Sequence, residues 1–486
     1  MKLLRILAFA AAGLLAALGT AVAQSWQPLT HQPSFTAGQA LLLTDGTVMV
    51  HREDPNDGFS EWYKLTPDIN GSYVNGTWSQ LASLSSNYGP LFFASAVLAD
   101  GKVIIEGGEQ NFSQYVWSTQ GAFYDPIANT WTTVSPPSGW STIGDASGIV
   151  LFNKTFMLAN CCTRQQALFN EATLSWTPTG TGKFDENDEE GWVLLPTGKV
   201  LAVDAYLDVN DPTGTNSELY DPTSGSWSTA GSTIAQLWDP HGSYEEGPGV
   251  LRPDGTVFWT GANGAGAGHT SVYHLNTQTW TPGPDFPGTL DVADGPAALL
   301  PDGNVLVSAS PGIFQNGTEF FEWNGSGLNQ VPATPNSPDN SSWYGRMLVL
   351  PTGQVLYTDG SADVEIYNPT GNPYPGLAPS ALIVTATLSR GSSIVLSGYK
   401  FNGASQANFY GDDAQAATNY PIVRITNTST GHVFYCRTHD HSTMAVGYVG
   451  PAYTHVDIPA NMETGGSYLE VVVNGIPSPR YMVGIH

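Results

Sequence analysis

The stretch "SSWYGRMLVLPTGQVLYTDG", Ser341 to Gly360, reads as an apolar strand, a tight turn at Thr352-Gly353 and a second apolar strand, entered by two adjacent aromatics. Gly at such a turn supplies the positive φ that a tight hairpin needs, so Thr-Gly or Asp-Gly between apolar runs is a strong hairpin signal. The unit occurs seven times: "GQALLLTDGTVMV", "ASAVLADGKVIIEGG", "SGIVLFNKTFMLA", "GWVLLPTGKVLAV", "GPGVLRPDGTVFW", "GPAALLPDGNVLV" and the stretch above. Its turns fall at Asp45, Asp100, Asn153, Thr197, Asp254, Asp302 and Thr352, spaced 44 to 57 residues apart. Each reads as a hairpin closed by a two-residue turn.

The second halves also repeat. "GAFYDPIANTW", "ALFNEATLSW", "SELYDPTSGSW" and "SVYHLNTQTW" each place an aromatic, a polar turn and a Trp at nearly fixed offset, as third and fourth strands would. Four strands in about fifty residues is the period of kelch-type propeller blades. The fold expected is therefore all-β, a seven-bladed kelch-type β-propeller over residues 24–375. The last repeat, "VEIYNPTGNPYP", lacks a Trp strand, whereas "SWQP", Ser25 to Pro28, looks like the fourth strands and precedes the first repeat. The N-terminal strand 25–28 is expected to complete the last blade and so remove open sheet edges. Beyond a Pro/Gly-rich passage, short alternating strands such as "YPIVRITNTSTGHVFYCRT" and "SYLEVVVNGIPSPRYMVGI" predict an immunoglobulin-like β-sandwich over 379–486.

The chain opens with Lys2 and Arg5, an Ala/Leu-rich run and Ala21-Val22-Ala23, the pattern of a cleaved signal peptide over residues 1–23. A secreted or periplasmic protein follows, with no further apolar run long enough for a membrane span. The formal net charge of -26 argues against nucleic acid as partner. The favoured partner is a carbohydrate or another small polyhydroxylated ligand, bound by a monomer. Three cysteines, Cys161, Cys162 and Cys436, are too few for a disulfide scaffold, and the adjacent pair reads either as a vicinal disulfide or as two thiols.

Signal peptide, seven kelch-type repeats and C-terminal sandwich together resemble the galactose oxidase and glyoxal oxidase group of copper-radical oxidases. That resemblance implies copper held by two histidines and an axial tyrosine, with a second tyrosine cross-linked to a cysteine. The cysteine register, about eight residues before the hairpin turn, holds Asp145 or Ala146 in one repeat and Phe92 or Phe93 in another. Glu189 stands at the position of the cross-linked tyrosine, and Trp343-Tyr344 where the family has Tyr-His. His439 resembles the histidine that the family's sandwich projects toward the propeller axis. On a strand, His439 and His441 would point to one face and could share a metal, with His432 or His455 as a third ligand.

The entrances to the first strands are acidic: Asp145, Glu189 with Glu190, Glu245 with Glu246, and Asp291 with Asp294. Carboxylates converging on one axis must bind a cation, hold protons or meet hydroxyls. Trp192, Trp238, Trp343 and Tyr344 accompany them, and stacking faces beside carboxylates suit a sugar ring. These residues, Glu189, Glu190, Trp192, Trp238, Glu245, Asp294, Trp343 and Tyr344, form the expected ligand site. In "WDPHGSYEEGPG", His241, Tyr244 and Glu246 are the candidate catalytic groups of a polysaccharide lyase or glycosidase. Copper through the histidines, calcium through Asp208, Asn210 and Asp211, and catalysis itself all stay open at this level.

Overall fold

The structure, a computed structural model, describes residues 24–205, 213–263 and 266–486; residues 1–23, expected to be a signal peptide, and the Asp208, Asn210 and Asp211 stretch fall outside them. Regular structure among these residues is β-strand, apart from two short 3-10 turns, Ser337–Asp339 and Ser342–Tyr344. Each repeat folds into an antiparallel sheet in chain order, the first being Ala37–Leu42, Val48–Asp54, Asp57–Thr66 and Thr77–Gln80. The inner strands are Ala37–Leu42, Ala94–Val97, Gly148–Val150, Trp192–Leu194, Gly249–Leu251, Ala297–Leu299 and Arg346–Val349. Each touches the next and the last returns to the first, so the sheets close a ring. All are buried along their whole length, which is why they read as continuous small and aliphatic runs rather than as alternating ones.

The repeated hairpin differs from the two-residue turn expected of it. Leu43 N–H donates to Thr47 O at 2.8 Å and Gly46 N–H to Leu43 O at 2.9 Å, leaving three loop residues with Gly46 at φ 77°. This is a type I turn followed by a left-handed residue, and Asp45 Oδ1 braces it by accepting the Thr47 N–H at 3.0 Å. The same bonds recur around Asp100, Asp254 and Asp302, and around Asn153, where Lys154 adopts φ 79° in place of Gly.

Ser25–Pro28 pairs antiparallel with Glu365–Asn368, with Trp26 opposite Tyr367. The Trp26 ring packs on Phe320, Tyr357 and Tyr367 at centroid distances of 4.9, 5.4 and 4.9 Å, and its Nε1–H donates to Pro332 O at 2.6 Å. The chain's first described strand thus joins its last ring sheet.

The strands after Ser380 enclose a second core containing Leu388, Leu396, Val423, Ile425, Val456 and Leu469. Val433–His439 serves two partners: its first half pairs with Ile422–Asn427 and its second with Pro451–Asp457. From this body one segment enters the ring. Asn408–Phe409 adds to the edge of Ala297–Leu299. Gln406 Oε1 accepts the Leu194 N–H at 2.9 Å, and Asn408 Oδ1 the Val349 N–H at 2.7 Å. Gln39 Nε2 donates to Ala414 O at 2.9 Å, and Ser95 Oγ to Gln415 O at 2.9 Å. One segment therefore grips several sheets at the axis.

Trp26→Ala removes the aromatic anchor of the closing strand, and a loss of roughly 2–3 kcal/mol is expected, below the full cost of a core Trp because the ring is partly exposed. Chemical denaturation of the variant checks it; an unchanged midpoint would show that the N-terminal strand contributes nothing to ring stability.

Candidate functional site

Where the inner strands begin, their approach loops surround a cavity of about 300 Å³. Its acidic lining is Glu109, Asp145, Glu189, Glu245 and Asp294, and its aromatic lining Phe92, Tyr115, Phe314 and Trp343. Phe92, Asp145, Glu189 and Asp294 each stand eight residues before their repeat's turn position, so the hairpin repeat brings them to equivalent places on the ring. Four lining residues adopt left-handed backbone without being glycine: Phe92 at φ 54°, Glu189 at 57°, Asp294 at 43° and Phe314 at 57°. Strain of this kind concentrates at functional sites because the surrounding packing must hold it.

Left-handed backbone at Glu189, Tyr244 and Asp294 bends the approach loops, and the acids of each pair point to different places. Glu189 faces the cavity, while Glu190 turns away and receives Lys183 Nζ at 2.7 Å; that lysine also reaches Glu218 at 2.5 Å. Glu245 faces the cavity, while Glu246 Oε1 accepts the Gly191 N–H at 2.7 Å. Asp294 lines the cavity, whereas Asp291 Oδ2 accepts the Asn263 N–H at 2.9 Å. Two further carboxyls, Asp412 and Asp413, arrive on the axial segment, and both are buried.

The oxygens of Asp145, Glu189 and Asp412 lie within 4.8 Å of one another, and so do those of Glu189, Glu245 and Asp294. Burial, and then the charge of the neighbouring carboxyls, pushes Asp145, Glu189, Glu245 and Asp412 well above the ordinary carboxylate range. Asp294 rises to about 6, burial outweighing its contacts with Glu245 and Arg346. Arg346 stays charged despite its own burial because Tyr410, Glu53, Asp413 and Asp294 favour the cation.

Trp343 is held from behind. Arg346 Nη1 donates to Trp343 O at 2.8 Å, Tyr410 Oη donates to the same oxygen at 2.7 Å, and the guanidinium lies 3.9 Å from the Tyr410 ring centroid. Phe92 and Phe314 flank the indole at 5.8 Å each, and Tyr344 meets it edge-on at 4.2 Å. The indole thus forms the cavity wall, and Tyr344 buttresses it without lining the cavity.

Other expected site residues lie elsewhere. Trp192 is buried against Trp227, and Trp238 is buried with Nε1–H donating to Gly214 O at 3.0 Å. Tyr244 packs on Trp238 at 5.9 Å, the half-exposed His241 bonds Asp239 at 2.9 Å and Glu246 is buried, and none of the three lines the axial cavity. His439 and His441 do not share a face either: the strand ends at His439, and Asp440 turns the chain with φ 50°. His441 is buried, its Nδ1 2.9 Å from Thr454 Oγ1, and burial followed by the His439 charge lowers it to about 3. His439 instead meets Asp440 and His455 on the surface of the C-terminal body, while His432 pairs with Glu463 at 2.6 Å. The part of that body on the axis is the 406–415 segment. Cys161 and Cys162 are free thiols, 3.7 and 3.6 Å from Asp188 Oδ1.

Glu109, Tyr115, Phe314, Arg346, Tyr410, Asp412 and Asp413 were not expected at the site. Glu109 precedes, and Tyr115 ends, the small hairpin that follows "IIEGG", and the extra length of that connection is a usable signal. Nothing in the sequence ties Asp412 to the ring.

No family model matches the chain. A kelch-like protein of Aspergillus terreus (strain NIH 2624 / FGSC A1156), terF, is 22% identical over 264 residues, 49% of this chain and 54% of that protein. The chain thus spans about half the length of that relative. Among solved structures, a fungal alcohol oxidase of the AA5 family in complex with copper superposes with a TM-score of 0.54 at 14% identity, over 96% of this chain and 100% of that one. The chain shares its β-propeller fold with that structure, and its sequence is similar to that of a kelch-like protein.

A carboxyl that holds its proton more tightly folded than unfolded favours the folded state in acid. For Asp294, raised from 3.8 to about 6, that contribution is present below about pH 4 and is lost as pH rises through about 6. In chelator, the melting temperature is therefore expected to fall across that window, and Asp294→Asn to flatten the fall. Calorimetry from about pH 4 to about pH 8 checks the sign; a rise over the same window would refute it.

Proposed function

We propose that the chain is an exported seven-bladed kelch-type propeller, residues 24–375, followed by an immunoglobulin-like sandwich, residues 379–486, and that its axial cavity binds a carbohydrate or another polyhydroxylated ligand. The observation that carries this reading is one cavity with both chemistries a sugar ring uses. A carboxyl floor accepts hydroxyl protons, and a fixed indole flanked by two phenyl rings offers a stacking face. A volume of about 300 Å³ suits a mono- or disaccharide.

Copper-radical chemistry is not part of the proposal, although the fold is shared with a copper-bound oxidase. The ground is the donor set: the acids lining the cavity are carboxylates, and no histidine or cysteine is among its lining residues. Imidazole and thiolate suit copper, and carboxylates suit hard cations. The lyase or glycosidase candidates His241, Tyr244 and Glu246 are not among the residues lining the axial cavity on which this reading rests.

Binding of neutral mono- and disaccharides, screened on a glycan array and quantified by calorimetry, is expected to weaken about tenfold or more in Trp343→Ala. Aerobic copper loading with alcohols and aldehydes is expected to release no peroxide above background. Unchanged sugar affinity in the variant would remove Trp343 from the site, and stoichiometric copper with peroxide release would replace this function with an oxidase.

A further inference from the structure

We propose that Asp145, Glu189 and Asp412 bind a calcium ion at the floor of the axial cavity, with the ion's remaining coordination positions open toward the ligand. The cation site stands on its own geometry; its role as a bridge to ligand hydroxyls rests on the polyhydroxylated-ligand reading above.

The oxygens of the three residues lie within 4.8 Å of one another. Oxygens that close can share one ion at bond lengths of about 2.4 Å, the usual calcium distance. An independent pointer comes from Asp412, which belongs to the axial segment and not to the repeated strand entrances. The residue is 2% exposed, its Oδ1 accepts the Asp413 N–H at 2.7 Å, and its Oδ2 has no hydrogen-bond partner. Asp145 Oδ1 is likewise buried and unpartnered. Buried carboxylate oxygens of this kind call for a positive partner.

Nearby basic side chains are engaged elsewhere. Arg346 donates to the carbonyls of Trp343 and Gly345, and Lys183 is held by Glu190 and Glu218. A set made only of oxygens selects a hard cation, and an irregular carboxylate set selects calcium above magnesium. A calcium ion with free positions takes vicinal hydroxyls as neutral oxygen ligands, which matches the ligand class proposed for the cavity.

The test uses the full secreted chain, stripped with EDTA and titrated with calcium chloride alone by calorimetry. Terbium, excited through Trp343, serves as a luminescent probe of the same position. One saturable calcium per chain is expected, weakened at least a hundredfold by Glu189→Gln and by Asp412→Asn, with the exposed-site variant Asp285→Asn binding as the parent does. Both site variants remove a like charge from a crowded floor, so each is expected to melt in EDTA at or above the parent temperature; that melt separates lost binding from lost folding. Absence of saturable calcium uptake, or uptake that both site variants retain at parental affinity, overturns the proposal. Sugar binding measured in EDTA and in calcium separates the two readings: calcium uptake without any sugar binding leaves the cation site and removes the ligand reading, and sugar binding in EDTA without calcium uptake does the reverse.

Discussion

Everything at the axis depends on one set of hydrogen bonds, those between the 406–415 segment and the inner strands. Strands that converge on an axis end in backbone groups that no neighbouring sheet can reach, and buried backbone groups left without partners are costly. The side chains of Gln406 and Asn408 accept the amides of Leu194 and Val349, which belong to different sheets, and Gln39 and Ser95 donate to carbonyls near the segment's end. Amide side chains suit this task because each carries a donor and an acceptor. Ring and C-terminal body are joined here through buried polar contacts.

That attachment also sets the chemistry of the cavity. The same segment carries Tyr410, which fixes the Trp343 carbonyl, and Asp412 and Asp413, which add carboxyls to a floor already acidic. Carboxyls brought together in a buried place raise one another's proton affinity, so the floor is either protonated or neutralised by a bound cation. Arg346 tempers this tension without removing it, because its guanidinium is stacked on Tyr410 and bonded to carbonyls. The left-handed residues Phe92, Glu189 and Asp294 show the packing holding an unfavourable backbone in place to aim these side chains inward.

The shared fold with a copper-bound oxidase illustrates how loosely architecture and chemistry are tied. A ring of hairpins brings the approaches to its inner strands to the axis, and in four repeats the residue eight before the turn lines the cavity. What those positions carry decides the chemistry, and in this chain they carry carboxyls and an aromatic wall.

The hairpin repeat was readable from sequence because its determinants are local: a Gly or a tolerant residue in left-handed backbone, an Asp that braces its own turn, and apolar runs on both sides. Even there, the length of the turn was not, since the alternative loops differ in backbone angles that residue types only bias. Trp343 could be singled out as an aromatic at a strand entrance, but so could Trp192 and Trp238, and only packing separated a cavity wall from two core residues. The acidic pairs were visible, while the choice of Glu189 over Glu190, and of Glu245 over Glu246, came from left-handed backbone that bends the approach loops and from Lys183 drawing one acid away. His439 and His441 looked like neighbours on one face until a left-handed Asp440 ended the strand between them. Asp412 and Asp413 lie far along the chain from the other acids of the floor, and no local pattern announces them. By itself the sequence determined what neighbours in the chain decide, the strands and their turns; the tertiary structure alone decided which distant side chains meet, because that depends on how the axial segment satisfies the ring.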